Sequence, residues 1–462
     1  MRAFVHRQWR QFATIFRPPF TGMWVAFLLY FVWCFLVYPH SQTLRADLPD
    51  SDDYMYLTQV LDWLRGQGWY NNIQHRLDPP VYGIGGDPIP FSRLPQIPMA
   101  ALTLFFEWLG LGPTGAATVG ALIWPPCLLA GFFMALRWLA AAFVPRDWAG
   151  ASAFVLIFAP PTLFLFMPGH VDHHGLDLLL TTLALGGAVH MIREPEKPGW
   201  ALIAGLMLAL DLAIALEILP WLILTGAAVA LWAMVEGRAA ARSGLAFGLA
   251  LFLGSALLLA LAKPPAAFFA PDLLGYSIVY VLFTASIALV LAGIALVADD
   301  RLGWRMLAGL GLAGASAWLF FGRFPALLSG PFGAVNPILA KLMLNGLNES
   351  EALAKAGRTW PWIISRTLNG WLGLGIALYA LWRARGRDLW LWGLVGALVA
   401  TAILLTVFYQ FRFITALGVF AAVPLTVLLQ RGWRRIGASL KGRGKMLAEI
   451  GLLLVVGPLT TV

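Results

Sequence analysis

The feature that most constrains this chain is a series of apolar segments, each about 20 residues long, that recurs along its length. The first, FTGMWVAFLLYFVWCFLVY, covers residues 20–38. Only 12% of the 462 residues are charged, about half the share found in a typical soluble domain. A segment of about 20 apolar residues is long enough to cross a bilayer as a helix. The sequence therefore predicts an all-α polytopic membrane protein.

Windows of about 19 residues predict roughly thirteen spans. They lie at 20–38, 116–136, 149–166, 175–192, 200–216, 219–235, 244–262, 277–297, 304–321, 366–382, 390–408, 413–430 and 446–462. Two long segments, 39–115 and 322–365, separate some of them. A weaker apolar stretch, 97–110, is short and contains Glu107, so we expect an interfacial helix there. The sequence shows no internal repeat, and we expect one transmembrane domain over 1–462 without a soluble C-terminal domain.

The positions of basic residues predict which loops face the cytoplasm. The connecting segments RARGRD (383–388) and RGWRRIGASLKGRGK (431–445) are short and rich in Arg and Lys, as cytoplasmic loops are. We therefore expect a cytoplasmic N-terminus, with the long segments 39–115 and 322–365 on the outer side. A bacterial inner membrane with a periplasmic active site fits this topology. The same rule accounts for the net charge of +9, and no nucleic-acid partner is expected.

The first long outer segment contains a dense acidic cluster. In DLPDSDDY, four residues crowd seven positions: Asp47, Asp50, Asp52 and Asp53. Like charges this close repel one another unless a cation lies between them, and a divalent metal is the usual solution. Alternatively, Ser51 or Asp52 caps an amphipathic helix over SDDYMYLTQVLDWL. A cap needs only one such residue, so both interpretations can hold.

A second polar cluster, GHVDHHGLD (169–177), stands just before a long apolar run. A carboxylate with two imidazoles suits Mn²⁺ or Mg²⁺ better than a metal that prefers thiolates. The alternative is a polar helix entrance at the membrane interface, because the segment lacks the fixed spacing of a zinc motif. Farther on, Asp211 and Glu217 lie in or beside a predicted span. Ionisable groups at membrane depth indicate function, but no motif accounts for these two; Glu217 lies near the outer face and is a candidate to support the metal ligands, whereas Asp211 has no assigned role.

The last two clusters lie late in the chain. Glu349 and Glu351 are the only acidic residues of segment 322–365. An ion pair with Lys355 at i,i+4 explains Glu351 and leaves Glu349 without an explanation. Arg412 stands among aromatic residues in FYQFRF, where the predicted span 413–430 begins. It either anchors the helix at the interface or contacts a carboxylate or phosphate through its planar guanidinium.

These four clusters, in this order, resemble the catalytic subunits of oligosaccharyltransferases, within the GT-C class of membrane glycosyltransferases. SDDY resembles the family's first-loop motif, and GHVDHHGLD resembles its second-loop motif. GLNE is similar to the family's Thr-Ile-x-Glu, and QFRF is similar to its Arg-Phe stretch. Over residues 20–430 the resemblance implies a GT-C transmembrane fold of about 13 helices with two long extracytoplasmic loops.

The resemblance also implies roles for individual residues. It places a divalent metal, Mn²⁺ or Mg²⁺, on Asp52 (with Asp53 as the alternative), Asp172, His174 and Glu349. Three of these, Asp52, Asp172 and Glu349, would be catalytic. Arg412 would contact the acceptor. The motif neighbours Tyr54, His170 and His173 are further substrate-binding candidates. Four outward basic residues are candidates for the donor phosphates: Lys263, Arg323, Lys341 and Arg412.

The implied donor is a sugar or oligosaccharide linked to a polyprenyl phosphate or diphosphate. The family's Trp-Trp-Asp-Tyr-Gly motif, which recognises the acceptor sequon, has no counterpart, so we expect a lipid, glycan or protein acceptor without sequon recognition. Three alternatives stay open. The protein could transfer a single sugar from a polyprenyl monophosphate to a lipid or glycan. It could be a proton- or cation-coupled transporter, or a scaffold that keeps the fold without activity. The relay of such a transporter would use Asp172, His173, His174, Asp211 and Glu217.

Overall fold

The computed structural model describes residues 21–36, 48–73, 92–297, 301–329, 338, 348–355 and 358–456. Throughout these ranges the regular structure is helical, which confirms the all-α prediction. The α-helices are α1 Thr21–Leu36, α2 Ser51–Leu64, α3 Gln96–Trp108, α4 Pro113–Ala140, α5 Ala151–Leu156, α6 Pro160–Phe164, α7 His174–Arg193, α8 Pro198–Ile214, α9 Leu219–Glu236, α10 Arg238–Ala262, α11 Ile278–Leu296, α12 Leu302–Arg323, α13 Trp360–Arg366, α14 Leu368–Arg383, α15 Arg387–Phe408, α16 Ile414–Ser439 and α17 Gly442–Val456. Short 3₁₀ turns occur at Leu216–Ile218, Pro265–Ala267, Pro325–Ser329, Asn348–Ser350 and Phe411–Phe413.

Eight helical segments of the described chain are long and apolar enough to cross a membrane. They are Pro113–Ala140, His174–Arg193, Leu216–Glu236, Arg238–Ala262, Ile278–Leu296, Leu302–Arg323, Arg387–Phe408 and Phe411–Ser439. Two shorter apolar helices, Gly22–Cys34 and Pro198–Ile214, fall on predicted spans. The prediction of a single span at 149–166 is wrong, because α5 and α6 are separate short helices there. Pro160 and Pro161 break the helix, since proline lacks the backbone N–H and clashes with the preceding turn.

By their contacts, the residues group into two compact units. The first unit comprises Met1–Thr43, Leu129–Met167 and Leu344–Val462, and the second comprises Leu44–Leu128 and Pro168–Met343. Helix α4 contributes residues to both. The single domain expected from the sequence stays a prediction.

In the first unit α16 is the central helix. It packs against α5, α6, α14, α15 and α17. In its most apolar stretch of 18 residues, 89% is buried. The 3₁₀ turn Phe411–Phe413, which contains Arg412, leads directly into it. The arginine is therefore placed by the most deeply packed helix of this unit.

In the second unit α7, α8 and α10 form a closely packed layer. A Cβ atom on Gly187 would lie 2.7 Å from the backbone nitrogen of Ala204, and one on Gly205 would lie 2.5 Å from the carbonyl oxygen of Phe247. Small residues let membrane helices approach this closely. This layer holds α7, whose N-terminus carries the Asp-His-His cluster.

The amphipathic helix predicted at SDDYMYLTQVLDWL forms as α2. Its N-cap is Asp50 rather than Ser51 or Asp52, and the Asp50 carboxylate accepts a hydrogen bond from the backbone N–H of Asp52 at 3.0 Å. Asp53 and Tyr56 lie on the buried face of the helix. That face contributes to an apolar cluster with α3, α4 and the loop before α7: Leu48, Tyr56, Val60, Met99, Ala100, Ala121 and Val171.

Candidate metal centre

The centre begins with Asp53, whose side chain is fully buried. Its carboxylate accepts hydrogen bonds from the backbone N–H groups of Val171 at 2.7 Å and Asp172 at 3.1 Å. The Nδ1 atom of His170 lies 3.0 and 2.9 Å from its two oxygens. Burial raises the pKa of Asp53, although the hydrogen bond with His170 opposes the rise. Asp53 therefore ties α2 to the loop before α7.

That loop is held in place by its backbone. Gly169 has a φ of +94°, a conformation that favours glycine, and its N–H donates to the carbonyl oxygen of Ala121 at 3.0 Å. Asp172 then accepts a hydrogen bond from the N–H of His174 at 3.0 Å, at the start of α7. These contacts present the side chains of residues 170–174 together at one end of α7.

Asp172 is buried and lies between two imidazoles. Its Oδ2 atom is 3.7 Å from Nε2 of His174 and 4.0 Å from Nε2 of His170. Burial alone would raise the pKa of Asp172, but His174, His170 and His173 outweigh it and lower the pKa to about 2. The group is thus an anion at neutral pH, the form that binds a cation.

The pKa of His170 is shifted in the opposite direction to that of Asp172. Burial alone would lower its pKa, but the Asp172 charge and the hydrogen bond with Asp53 raise it to about 9. At neutral pH the ring is an imidazolium between two carboxyl groups. The ligand atoms of Asp53, His170 and Asp172 all lie within 4.8 Å of one another. Two carboxylates and one imidazole form a donor set that fits Mn²⁺ or Mg²⁺.

A second group of donors lies beside the first. His173, His174 and Glu217 also offer ligand atoms within 4.8 Å of one another. Nδ1 of His174 is 3.5 Å from Oε2 of Glu217. A hydrogen bond of 2.8 Å joins Nδ1 of His173 to the hydroxyl of Tyr56. Glu217 is thus brought next to the Asp-His-His cluster, from the 3₁₀ turn Leu216–Ile218.

The unexplained Asp211 has a carboxyl partner on α7. The side chains of Asp177 and Asp211 interact directly, and both lie close enough to Glu217 to interact electrostatically. The hydroxyl of Thr181 donates to Oδ2 of Asp211 at 2.8 Å. Asp177 on α7 and Asp211 on α8 therefore extend the acidic region around Glu217.

Glu349 of the late outer segment and Arg412, just before α16, meet within the first unit. Nη2 of Arg412 lies 2.6 Å from Oε1 of Glu349 and 3.3 Å from Oγ of Ser350. The segment is fixed to the end of α15, because the N–H groups of Leu353 and Ala354 donate to the carbonyl oxygens of Thr406 and Val407. The predicted ion pair between Glu351 and Lys355 forms at 2.7 Å.

The other candidates have varied surroundings. Asp52 and Tyr54 are exposed on α2, and the Tyr54 hydroxyl accepts a hydrogen bond from the N–H of Leu48 at 3.2 Å. Lys263 pairs with Asp272 at 3.2 Å, and the guanidinium of Arg323 lies 5.5 Å from the centre of the Phe324 ring. Lys341 lies outside the described residues.

No protein-family model matches the chain, and no curated protein is similar to it in sequence. Solved structures do match it. The Archaeoglobus fulgidus oligosaccharyltransferase AglB, in complex with an inhibitory peptide and a dolichol-phosphate, superposes with a TM-score of 0.62 at 13% identity, over 96% of this chain and 56% of that one. The apo form of the Archaeoglobus fulgidus enzyme gives a TM-score of 0.64 at 13% identity, over 95% and 54%.

The chain has the GT-C fold of these oligosaccharyltransferases. A complex of the Archaeoglobus fulgidus oligosaccharyltransferase with Zn and sulfate also matches, with a TM-score of 0.56 at 14% identity, over 95% of this chain and 53% of that one. The chain spans about half the length of the solved structures that it matches. Together with the apolar helices, this fold identifies an integral membrane protein.

The structure adds contacts for three residues whose part in the centre the sequence left open. The resemblance favoured Asp52 over Asp53, yet Asp53 is the one that contacts His170 and Asp172. Helical spacing contained the signal, because Asp53 shares the buried face of α2 with Tyr56 and Val60 at i+3 and i+7. The hydrogen bond between Tyr56 and His173 depends on the same buried face of α2. Glu217 comes 40 or more positions after the GHVDHHGLD segment in the sequence, and no local pattern connects it to that cluster.

Proposed function

We propose that the protein is a membrane glycosyltransferase that takes a sugar or oligosaccharide from a polyprenyl-phosphate- or diphosphate-linked donor. The observation that carries this proposal is the buried Asp53–His170–Asp172 group at the start of α7, in a chain with an oligosaccharyltransferase fold. The neighbour bound to a dolichol-phosphate and a peptide supports a lipid-linked donor. We further propose that the site faces the periplasm of a bacterial inner membrane.

The proposed cation ligands are Asp172, Asp53 and His170, with His174 beside them. The resemblance adds Asp52 and Glu349 to the candidate ligands. A divalent cation bound here would stabilise the negative charge that grows on the departing phosphate. Mn²⁺ and Mg²⁺ are the proposed ions because the donor set is rich in carboxylate oxygen.

The chain's own residues would orient the substrates. Backbone N–H groups of Val171 and Asp172 hold the Asp53 carboxylate in one position, so Asp53 and Asp172 would be preorganised for the cation. Arg412 would bind an anionic group of the acceptor or donor through its planar guanidinium. Asp52 and Glu349 are the candidates to accept the proton of the acceptor hydroxyl or amide.

The test is donor cleavage by the purified protein in proteoliposomes. Polyprenyl-linked sugars with one or two phosphates are supplied with Mn²⁺, and release of the sugar is measured so that no acceptor need be known. We expect Asp172→Asn to lower the rate of donor cleavage by more than the roughly 10–100-fold that is typical when a group that only supports a metal ligand is changed. Glu194→Gln, at a half-exposed acid that is the C-cap of α7, is the control. If Asp172→Asn cleaves the donor as fast as the control, the proposed site is refuted. Whichever donor is cleaved shows whether the substrate carries a monophosphate or a diphosphate.

A further inference from the structure

Two consecutive prolines interrupt the hydrogen bonding of α4. Pro125 and Pro126 both lie inside this 28-residue helix, and both are buried. A proline has no backbone N–H, and its ring clashes with the carbonyl group four residues earlier. The carbonyl oxygens of Ala121 and Leu122 therefore lose the donors that an uninterrupted helix would give them. Because a buried carbonyl group without a hydrogen bond is costly, a donor from another segment would stabilise the helix here.

The loop that carries the candidate centre supplies a donor for one of these two oxygens. The backbone N–H of Gly169 donates to the carbonyl oxygen of Ala121 at 3.0 Å. Ala121 is fully buried, and its side chain belongs to the same apolar cluster as Val171. In the part of the chain that the structure describes, no backbone N–H from another segment reaches the carbonyl oxygen of Leu122. The loop therefore contacts α4 at the oxygen that Pro125 leaves free.

This hydrogen bond stands directly before the residues that form the centre. His170 follows Gly169 in the chain, and its Nδ1 atom lies 2.9 Å from Oδ2 of Asp53. The N–H groups of the next two residues donate to Oδ1 of the same carboxylate. Asp53 thus holds this run of residues against α2, whereas Gly169 is held against α4. Two such contacts restrict the direction of the His170 ring, as a preorganised site requires.

A simpler account of the two prolines is that they only bend α4. Proline is a usual cause of a kink in a long helix, and either proline would serve that purpose. A bend does not explain why the loop contacts the oxygen four residues before Pro125 rather than the one four residues before Pro126. Any other residue at position 125 would return an N–H to the oxygen of Ala121. That N–H would compete with Gly169 for the same acceptor.

We propose that Pro125 is a positioning residue for the candidate centre. Because it lacks an N–H, the carbonyl oxygen of Ala121 accepts a hydrogen bond from Gly169, and this bond fixes the loop that presents His170 and Asp172. The inference deepens the proposed function and rests on it for what the centre binds. The contact itself can be tested whether or not the protein cleaves a lipid-linked donor.

The test compares Pro125→Ala with Pro126→Ala in the full chain, purified in detergent. Each substitution adds one N–H to α4 and removes part of one buried ring, so the two variants are matched. Hydrogen exchange is followed by mass spectrometry on the peptide that contains the Gly169 amide. We expect this amide to be protected in the wild type and in Pro126→Ala. In Pro125→Ala it should exchange roughly 2- to 10-fold faster, the range that the net contribution of one hydrogen bond implies.

The second measurement is the affinity of the centre for Mn²⁺, determined by calorimetry on the same three proteins. We expect the apparent dissociation constant to rise by roughly the same 2- to 10-fold in Pro125→Ala and to stay unchanged in Pro126→Ala. Thermal unfolding is recorded in parallel. A role in helix stability alone would shift the unfolding temperature of both variants alike, without a difference between them in exchange or affinity.

The outcomes separate this inference from the proposed function. An unprotected Gly169 amide in the folded wild type overturns the inference, even if Pro125→Ala does not fold. Equal exchange in the two variants overturns it too, and faster exchange with unchanged Mn²⁺ affinity overturns the positioning role. If the wild type binds no Mn²⁺ but the difference in exchange is present, the cation of the proposed function is overturned and the contact between the loop and α4 is supported.

Discussion

Cation binding at the first group should release a proton from His170. The pKa of this imidazole is raised to about 9, so at pH 7 roughly 99% of the rings are protonated. A nitrogen that carries a proton cannot bind a metal, and metal affinity falls accordingly as the pH falls. The cation must therefore displace about one proton for each ion bound through His170.

The size of the effect follows from the same pKa. Competition from the proton weakens the apparent affinity about 100-fold at pH 7 and about tenfold at pH 8, relative to the fully deprotonated ring. The apparent dissociation constant for Mn²⁺ should thus fall about tenfold for each unit of pH between 6.5 and 8.5. This corresponds to about 1.4 kcal/mol of binding free energy per unit.

Calorimetry can measure this release directly. Mn²⁺ is titrated into the chelator-treated protein at pH 7 in two buffers with different ionisation enthalpies, and the difference in heat gives the number of protons released. His170→Gln is the comparison, because it keeps a polar side chain without a titrating ring. We expect the variant to release about one proton fewer and to lose the corresponding pH slope. Equal proton release by the wild type and His170→Gln would refute a role for His170 as a protonated ligand.

Three further predictions concern Arg412, the packing at Gly187 and the stability of the metal-free protein. Arg412→Ala should raise the KM for the substrate anion about 10- to 100-fold, the loss expected for a charge-assisted hydrogen bond. Because Glu349, its ion-pair partner, is about half exposed, the pair contributes little to stability and thermal unfolding should be nearly unchanged; a large drop in unfolding temperature would instead indicate a structural role. Gly187→Ala should destabilise the protein by about 1–3 kcal/mol, since its methyl group would meet the backbone of Ala204. Gly199→Ala, which meets nothing within 4 Å, should be neutral in the same unfolding assay. Without metal, the stability that His170 contributes should be complete below about pH 6.5 and lost as the pH rises through 9, because its pKa is higher in the folded state. An unfolding temperature that is flat between pH 6.5 and 9 would contradict this.

Much of the fold was predictable because membrane helices have a strong local signal. A run of about 20 apolar residues specifies a helix without help from distant parts of the chain, and predicted spans such as 175–192 and 390–408 form as α7 and α15. The break at Pro160 was missed because the window averaged over the two prolines. Hydropathy measures the length of an apolar run and is insensitive to a residue that ends a helix within it.

The candidate centre was predictable only where its residues are neighbours in sequence. The Asp-His-His cluster stood out because a polar triplet before an apolar run is costly. Glu217 stood out only as an ionisable group beside a span, because its contact with His174 depends on how α7 and the 3₁₀ turn before α9 approach each other. The choice between Asp52 and Asp53 depended on where α2 begins. With Asp50 as the N-cap, Asp53 falls on the buried face one turn before Tyr56.

The pairing of Asp53, His170 and Asp172 also explains how a cation site can stay folded without its cation. Two buried carboxyl groups side by side repel each other, and removing them from water is costly. An imidazolium at His170 compensates that charge, which is why its pKa rises while that of Asp172 falls. A divalent cation would replace the proton with a larger charge at almost the same place. The site therefore needs a histidine, because lysine or arginine would keep its charge and compete with the metal, whereas a histidine with a pKa near 9 yields its proton at a moderate cost of about 3 kcal/mol at pH 7.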